Sequence, residues 1–189
     1  MWNWMASSLF AGATVVTYDG FAAYPKLSSP WDLVEKEGIT HVGSSPRYFQ
    51  ACRKRVRPMD DNDLSALRVI YSTGSPLSPE DYEYVYGKVK SDVMLASISG
   101  GTDIVSCFAG GVPMLPVLAG QLQAAGLGMA TAIWNESGEP VEGEKGELVC
   151  TQSFPSCPVG FWRDTYGSKF HAAYFDRWPC VWAHGDYGE

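Results

Sequence analysis

The stretch Val93-Met94-Leu95-Ala96-Ser97-Ile98-Ser99-Gly100-Gly101-Thr102-Asp103 constrains this chain more than any other. An apolar run climbs to Ile98 and then breaks into two glycines, a hydroxyl and a carboxylate. The run reads as a buried parallel strand, of the kind that needs helices over both faces. Gly-Gly-Thr-Asp reads as the loop at its carboxyl end, where open α/β sheets bind their ligands. Gly100 and Gly101 lack a Cβ and admit a ligand close to the backbone. Thr102 can donate to a phosphate oxygen, and Asp103 can hold a hard cation such as Mg²⁺. The same residues also compose an ordinary turn, because Gly and Asp are common turn formers.

The upstream sequence supports a layered sheet. Residues 2–11 are apolar and read as a helix, with Gly12 suited to the position just past its end. Residues 13–18 are rich in β-branched side chains and read as a strand. Ser29 is a candidate N-cap with Pro30 in the first helical position, and Gly38 stops that helix. A strand over 39–43 follows, then a helix opened by Ser45-Pro46 and running to about residue 56. A strand over 67–73 turns at Gly74-Ser75-Pro76, and Ser78-Pro79-Glu80 opens a helix to about residue 88. Strands alternating with helices predict an α/β fold with a doubly wound, mainly parallel sheet.

After Ile104 the texture changes. Gly and Pro become dense, and β patterns occupy 126–134 and 146–151, separated by the turn sequence Asn135-Glu136-Ser137-Gly138. A small β-barrel-like region is expected there. The division is an α/β subdomain over 1–109 and a β-rich subdomain over 110–189. Neither end reads as finished: the first residues look like helix interior, and His184 to Glu189 look turn-rich, without a terminal helix or strand. An internal piece of a longer chain is expected.

Charge and cysteines narrow the partners. With 14 Lys+Arg against 21 Asp+Glu, the net charge of −7 argues against non-specific binding to nucleic acid or anionic membrane. No apolar run reaches the ~20 residues of a membrane span. The five cysteines are odd in number and contain no Cys-x-x-Cys, which points to a reducing, cytoplasmic setting and to buried small hydrophobes. His41, His171 and His184 have no triad or metal-ligand spacing and read as structural or surface residues. The Arg53-Lys54-Arg55-Val56-Arg57 run reads as a solvated helix end.

Four segments line up in order: Tyr71 to Leu77, Ser99 to Asp103, Tyr174-Phe175-Asp176, and Val181 to Asp186. Their order and spacing resemble the adenylate-forming acyl-CoA synthetases. The stretches 1–20, 71–80, 146–158 and 182–186 resemble the acetoacetyl-CoA synthetase family in particular. The resemblance implies an ATP-dependent acid–thiol ligase that makes an acyl-adenylate and passes the acyl group to CoA, with acetoacetate as the acid. It implies that Gly74, Ser75 and Pro76 pack on adenine, with Ser97 near its edge. Thr102 would meet the α-phosphate and Asp186 the ribose hydroxyls; Gly101 counts among the nucleotide-binding residues, and its N–H or Ser99 could donate to the keto oxygen of the acid. Asp103 stands where the family has Glu as Mg²⁺ ligand. Ser99 and Gly100 would line the acyl pocket; acetyl-CoA synthetases carry Trp at the position of Gly100, so a bare glycine implies room for a longer acid. The phosphate loop, the hinge Arg and the lid Lys of the family have no counterpart among these residues, which implies that this stretch alone is inactive. An acetyl- or propionyl-CoA-type synthetase and a non-catalytic remnant are the alternatives.

Overall fold

The computed structural model describes residues 2–189, the side chains from Met5 onward. The chain folds as two compact units that interleave along the sequence. The first comprises the residues up to Ser99 together with Gly110–Ala124, the second Gly100–Ala109 together with Ala125–Glu189.

The first unit holds helix α1 (Trp2–Phe10), α2 (Ser29–Lys36), strand β1 (His41–Ser44), α3 (Pro46–Arg53), the short α4 (Pro58–Asp61), β2 (Val69–Ser72), α5 (Pro79–Tyr84) and β3 (Met94–Ser97). Helix α5 widens into a π-helical turn over Val85–Val89. The three strands form a parallel sheet in the order β1-β2-β3, with Ile70 between Val42 and Leu95. Trp31 and Val34 of α2 repeat at i, i+3, as do Phe49 and Cys52 of α3, so each helix turns one apolar stripe inward. With Leu67, Ile70, Val85, Val89 and Leu95 they make the core of this unit. Removing the ring of Phe49, which is 1% exposed, would cost about 3–5 kcal/mol.

Several boundaries differ from those the residues suggest, each for a local reason. Helix α2 starts one residue early, with Ser28 at the cap position. It ends in a Schellman motif: Gly38 takes φ +59°, its N–H donates to Glu35 O, and the Ile39 N–H donates to Val34 O. The Ile39 amide is thus committed to the helix, and β1 begins at His41 instead of 39. Helix α3 ends at Arg53, short of 56. The expected strand over 13–18 does not form: these residues pair with no strand among those described, and Val16 and Tyr18 are exposed. A β-branched run without a partner ladder has nothing to hold it as a strand.

The second unit and the crossings into it hold β4 (Ser99–Gly101), β5 (Ser106–Gly110), β6 (Ala124–Ala125), β7 (Thr131–Trp134), β8 (Gly146–Cys150), α6 (Ser168–Tyr174) and β9 (Trp182–Gly188). Strands β7-β8-β9 are antiparallel, and β4-β5-β6 form a third small sheet. Ile104, Phe108, Met129, Leu148, Cys150, Phe154 and Trp182 make a separate, aromatic-rich core. Two expectations fail here. Gly100 and Gly101 are not a loop; they are the end of β4, and only residues 102–105 turn. A Cβ on Gly100 would sit 2.5 Å from Cys107 Cα and 2.6 Å from Ser106 O, so β4 and β5 approach too closely for any side chain. The terminal segment is not turn-rich either: Trp182, 2% exposed, anchors it as β9 against Cys150. Among the described residues no helix is long and apolar enough to cross a membrane.

Candidate functional site

The site residues anticipated from the sequence fall in both units. In the first, the loop after β2 is tied back to the end of β3. Ile98 N–H donates to Ser72 O at 2.9 Å, and Thr73 Oγ1 donates to Ile98 O at 3.3 Å. Gly74 takes φ +95°, a left-handed conformation that a side chain would strain. Gly74, Ser75 and Pro76 are exposed, while Leu77, 4% exposed, pins the loop from below. Ser97 is buried at the end of β3, opposite Ser72 in register. Ser99 is half-buried at the start of β4.

In the second unit, Thr102 is exposed at the tip of the β4–β5 turn and Asp103 is half-buried behind it. Fully buried Ile104 anchors this turn, and Val105 closes it at φ +48°. Left-handed backbone at a β-branched residue is strained, by an amount on the order of 1–2 kcal/mol. The carboxylate of Asp103 is held on two sides. Its Oδ2 accepts a 2.6 Å bond from the Tyr174 phenol of α6. Its Oδ1 occupies the space that a Cβ on Gly101 would need, so any side chain at 101 displaces it. Tyr174 lies flat on Trp182, with centroids 3.6 Å apart at 14°. Burial, and then the bond to the Asp103 charge, push the Tyr174 phenol up to about 12.

Strand β9 carries the other carboxylate. Glu147 pairs with Tyr187 and Val149 with Ala183, so His184, Gly185 and Asp186 bulge out opposite Leu148. Gly185 takes φ +88° at the crest, and Asp186 projects from it with a 59% exposed side chain. His184 is only 10% exposed: its ring packs edge-on to Phe108 at 4.7 Å, and its Nδ1 accepts from Trp182 Nε1 at 3.4 Å. That bond leaves Nε2 facing Asp186 Oδ2 at 3.7 Å. A Cβ on Gly101 would lie 3.3 Å from His184 Cε1, so β4 and β9 meet here. Within this unit the structure brings Gly101, Asp103, His184 and Asp186 into one neighbourhood.

Residues 1–154 match a model of the AMP-binding enzyme family. The chain belongs to the AMP-binding enzymes. It is 54% identical over its whole length to the acetoacetyl-coenzyme A synthetase of Rhizobium meliloti and 50% identical over 99% of it to that of Gallus gallus. It spans only 29% and 28%, respectively, of those curated relatives. The solved acetoacetyl-CoA synthetase of Streptomyces lividans matches 98% of the chain at 46% identity with a TM-score of 0.91, again over 29% of that protein. The anthranilate CoA ligase AuaEII, 19% identical, shares the fold at a TM-score of 0.76 over 93% of this chain and 32% of its own. The chain is thus an acetoacetyl-CoA synthetase homologue covering part of those proteins.

For this AMP-binding enzyme, three features escaped the sequence reading. His184 is structural, one of the two readings the sequence leaves open, but its membership of the Asp103–Asp186 neighbourhood is not legible there; its place depends on Phe108 and Trp182, which only the fold brings together. Arg53 is not part of a solvated helix end. Its NH1 lies 3.6 Å from Oδ1 of the completely buried Asp81, whose other oxygen, Oδ2, accepts from Ser78 Oγ at 3.0 Å. Arg57, by contrast, makes an exposed pair with Asp60. The cysteines divide: Cys52 and Cys150 are buried, Cys107 and Cys157 half-buried, and Cys180 exposed, all as free thiols. Among the described residues there is no group of three or more His, Cys, Asp or Glu side chains able to enclose a metal.

Proposed function

We propose that this chain forms the nucleotide-handling part of an AMP-forming acetoacetate–CoA ligase. The observation that carries this reading is the 54% identity, across all of the chain, to an acetoacetyl-coenzyme A synthetase. In the proposed reaction an acetoacetate oxygen attacks the α-phosphorus of ATP and pyrophosphate leaves. The sulfur of CoA then attacks the acyl carbon and AMP leaves. The chain supplies orientation and charge stabilisation and no covalent nucleophile.

The residue roles follow from this reading. Gly74, Ser75 and Pro76 form the surface for adenine, with Ser97 at its edge. Thr102 faces the α-phosphate, and Gly101 admits the nucleotide close to the backbone. Asp186 accepts from the ribose hydroxyls; each such charge-assisted bond contributes about 1.5–3 kcal/mol. Ser99 and Gly100 belong to the acyl side. Mg²⁺ takes one or two carboxylates, waters and substrate phosphates, so a single Asp103 suits it. Asp103 would hold the ion through the oxygen that Tyr174 leaves free, and the ion would offset phosphate charge. The β1–β3 sheet would belong to a doubly wound sheet and the β7–β9 sheet to a barrel-like region of an adenylation domain, in a cytoplasmic enzyme.

A chain covering 29% of its relatives' length is not expected to turn over by itself. Pyrophosphate release from ATP and acetoacetate should stay far below the ~1–10³ s⁻¹ of ordinary enzymes. Nucleotide binding is the direct test of the roles. By calorimetry, Asp186→Ala should weaken AMP binding at least about tenfold. Equal affinity in the two proteins would leave Asp186 as an exposed strand residue without a ligand.

A further inference from the structure

We infer that Glu147 is a positioning residue for the nucleotide, acting through the backbone of Gly185 to hold Asp186 in place. The inference rests on the assignment of Asp186 to the ribose hydroxyls. Glu147 is 4% exposed, in a strand whose every residue is buried. A buried carboxylate costs several kcal/mol unless it is paired and hydrogen-bonded, so its partners indicate what holds it there. There are two. Oε1 accepts the Gly185 N–H at 2.6 Å, and Oε2 accepts from Arg177 NH1 at 2.9 Å. The Arg177 guanidinium lies over the Trp178 ring at 4.4 Å, which fixes the cation in turn.

The bulge explains the need for this carboxylate. Residues 184–186 have no place in the β8–β9 ladder, so the Gly185 amide finds no backbone acceptor there. An unpaired amide in this position would let the strand slide back into regular pairing. A one-residue slip turns each side chain to the opposite face of a sheet. Glu147 gives the amide a charged acceptor and pins the bulge in the register that projects Asp186. His184 steadies the other flank, its Nε2 3.7 Å from the Asp186 carboxylate. Glu147 therefore needs no contact with nucleotide to govern its binding.

The test is a double-mutant cycle on the 189-residue chain, with AMP affinity read by calorimetry and folding by circular dichroism. Glu147→Gln keeps the size of the side chain but removes the charge. It should weaken AMP binding about tenfold and shift the Gly185 amide proton upfield. In the Asp186→Ala background it should cause no further loss, because its effect passes through Asp186. Arg177→Met, at a partly exposed site, should repeat the pattern more weakly and serves if Glu147→Gln does not fold. Absence of AMP binding in the wild type, or unchanged binding in Asp186→Ala, would overturn the underlying assignment. Loss in Asp186→Ala with wild-type affinity in Glu147→Gln and Arg177→Met, or with losses that add in the double variants, would overturn the role of Glu147 alone.

Discussion

Tyr174 donates a 2.6 Å hydrogen bond to Asp103, a residue 71 positions earlier, while its ring lies flat on Trp182. Helix α6 thereby fixes the carboxylate at the β4–β5 turn. Tyr174→Phe keeps the stacking and removes the bond, and should lower stability by about 1–3 kcal/mol. Asp103→Ala should cost a similar amount, and the double variant no more than the larger single loss. Urea denaturation of the four proteins checks this; strictly additive losses would mean that the pair is not coupled.

The buried phenols of the first unit predict an alkaline weakness. Burial pushes Tyr84 and Tyr48 above the ordinary phenol value of 10.0, with Cys52 adding to both. Tyr84 donates to Val56 O at 3.1 Å in a fully buried bond. A group whose folded pKa is raised contributes stability that is complete below its unfolded pKa. That stability is lost as pH climbs toward the folded value. The urea midpoint should therefore fall as pH rises above 10.0, and less steeply in Tyr84→Phe. Identical slopes in the two proteins would contradict the assignment.

Val105 carries backbone strain beside the site. Its φ of +48° suits Asn far better than a β-branched residue, and its side chain is 56% exposed. Val105→Asn should stabilise the chain by about 1 kcal/mol, seen as a higher Tm. An unchanged or lower Tm would show that Val105 makes contacts worth its strain.

The glycines of β4 should be intolerant for two different reasons. Gly100→Ala drives a Cβ into the Cys107 backbone and should destabilise the β4–β5 pair by about 1–3 kcal/mol. Gly101→Ala meets the Asp103 carboxylate instead. It should displace that carboxylate and abolish the Tyr174 bond, read as loss of the coupling between Tyr174 and Asp103, whereas Gly100→Ala should leave that coupling intact. Coupling lost in both variants, or kept in both, would contradict this distinction. A bulky residue at 100 would displace β5, so the breadth of the acyl pocket is better probed by varying the acid.

What could be read from the residues was what depends on near neighbours. Strands β2 and β3 lie in apolar runs that end at Ser and Gly, β1 lies between Gly38 and the Ser45-Pro46 signal, and helices α2, α3 and α5 each begin at a serine–proline signal. The residues at 13–18 look no less like a strand, but pairing depends on a distant ladder that local pattern cannot reveal. Gly100-Gly101 looks like a loop because glycine usually marks one; here it marks two strands packed too closely for side chains. Asp103 and Thr102 stand out by residue type, and Asp186 through the family resemblance. The roles of Tyr174, His184 and Glu147 do not, because they lie in partners 71, 76 and 38 positions away: Asp103, Phe108 and Gly185.

The central claim is that this stretch handles nucleotide and acid in an acetoacetate–CoA ligase. Placing these 189 residues in the matching stretch of the Rhizobium meliloti synthetase, to which they are 54% identical, tests it directly. The measurement is kcat/KM for CoA thioester formation with acetoacetate and with acetate. The account predicts turnover with acetoacetate preferred by about tenfold or more, as the added carbon groups allow, and loss of that turnover in Asp186→Ala. A folded chimera that forms no thioester, or one that prefers acetate, would contradict it.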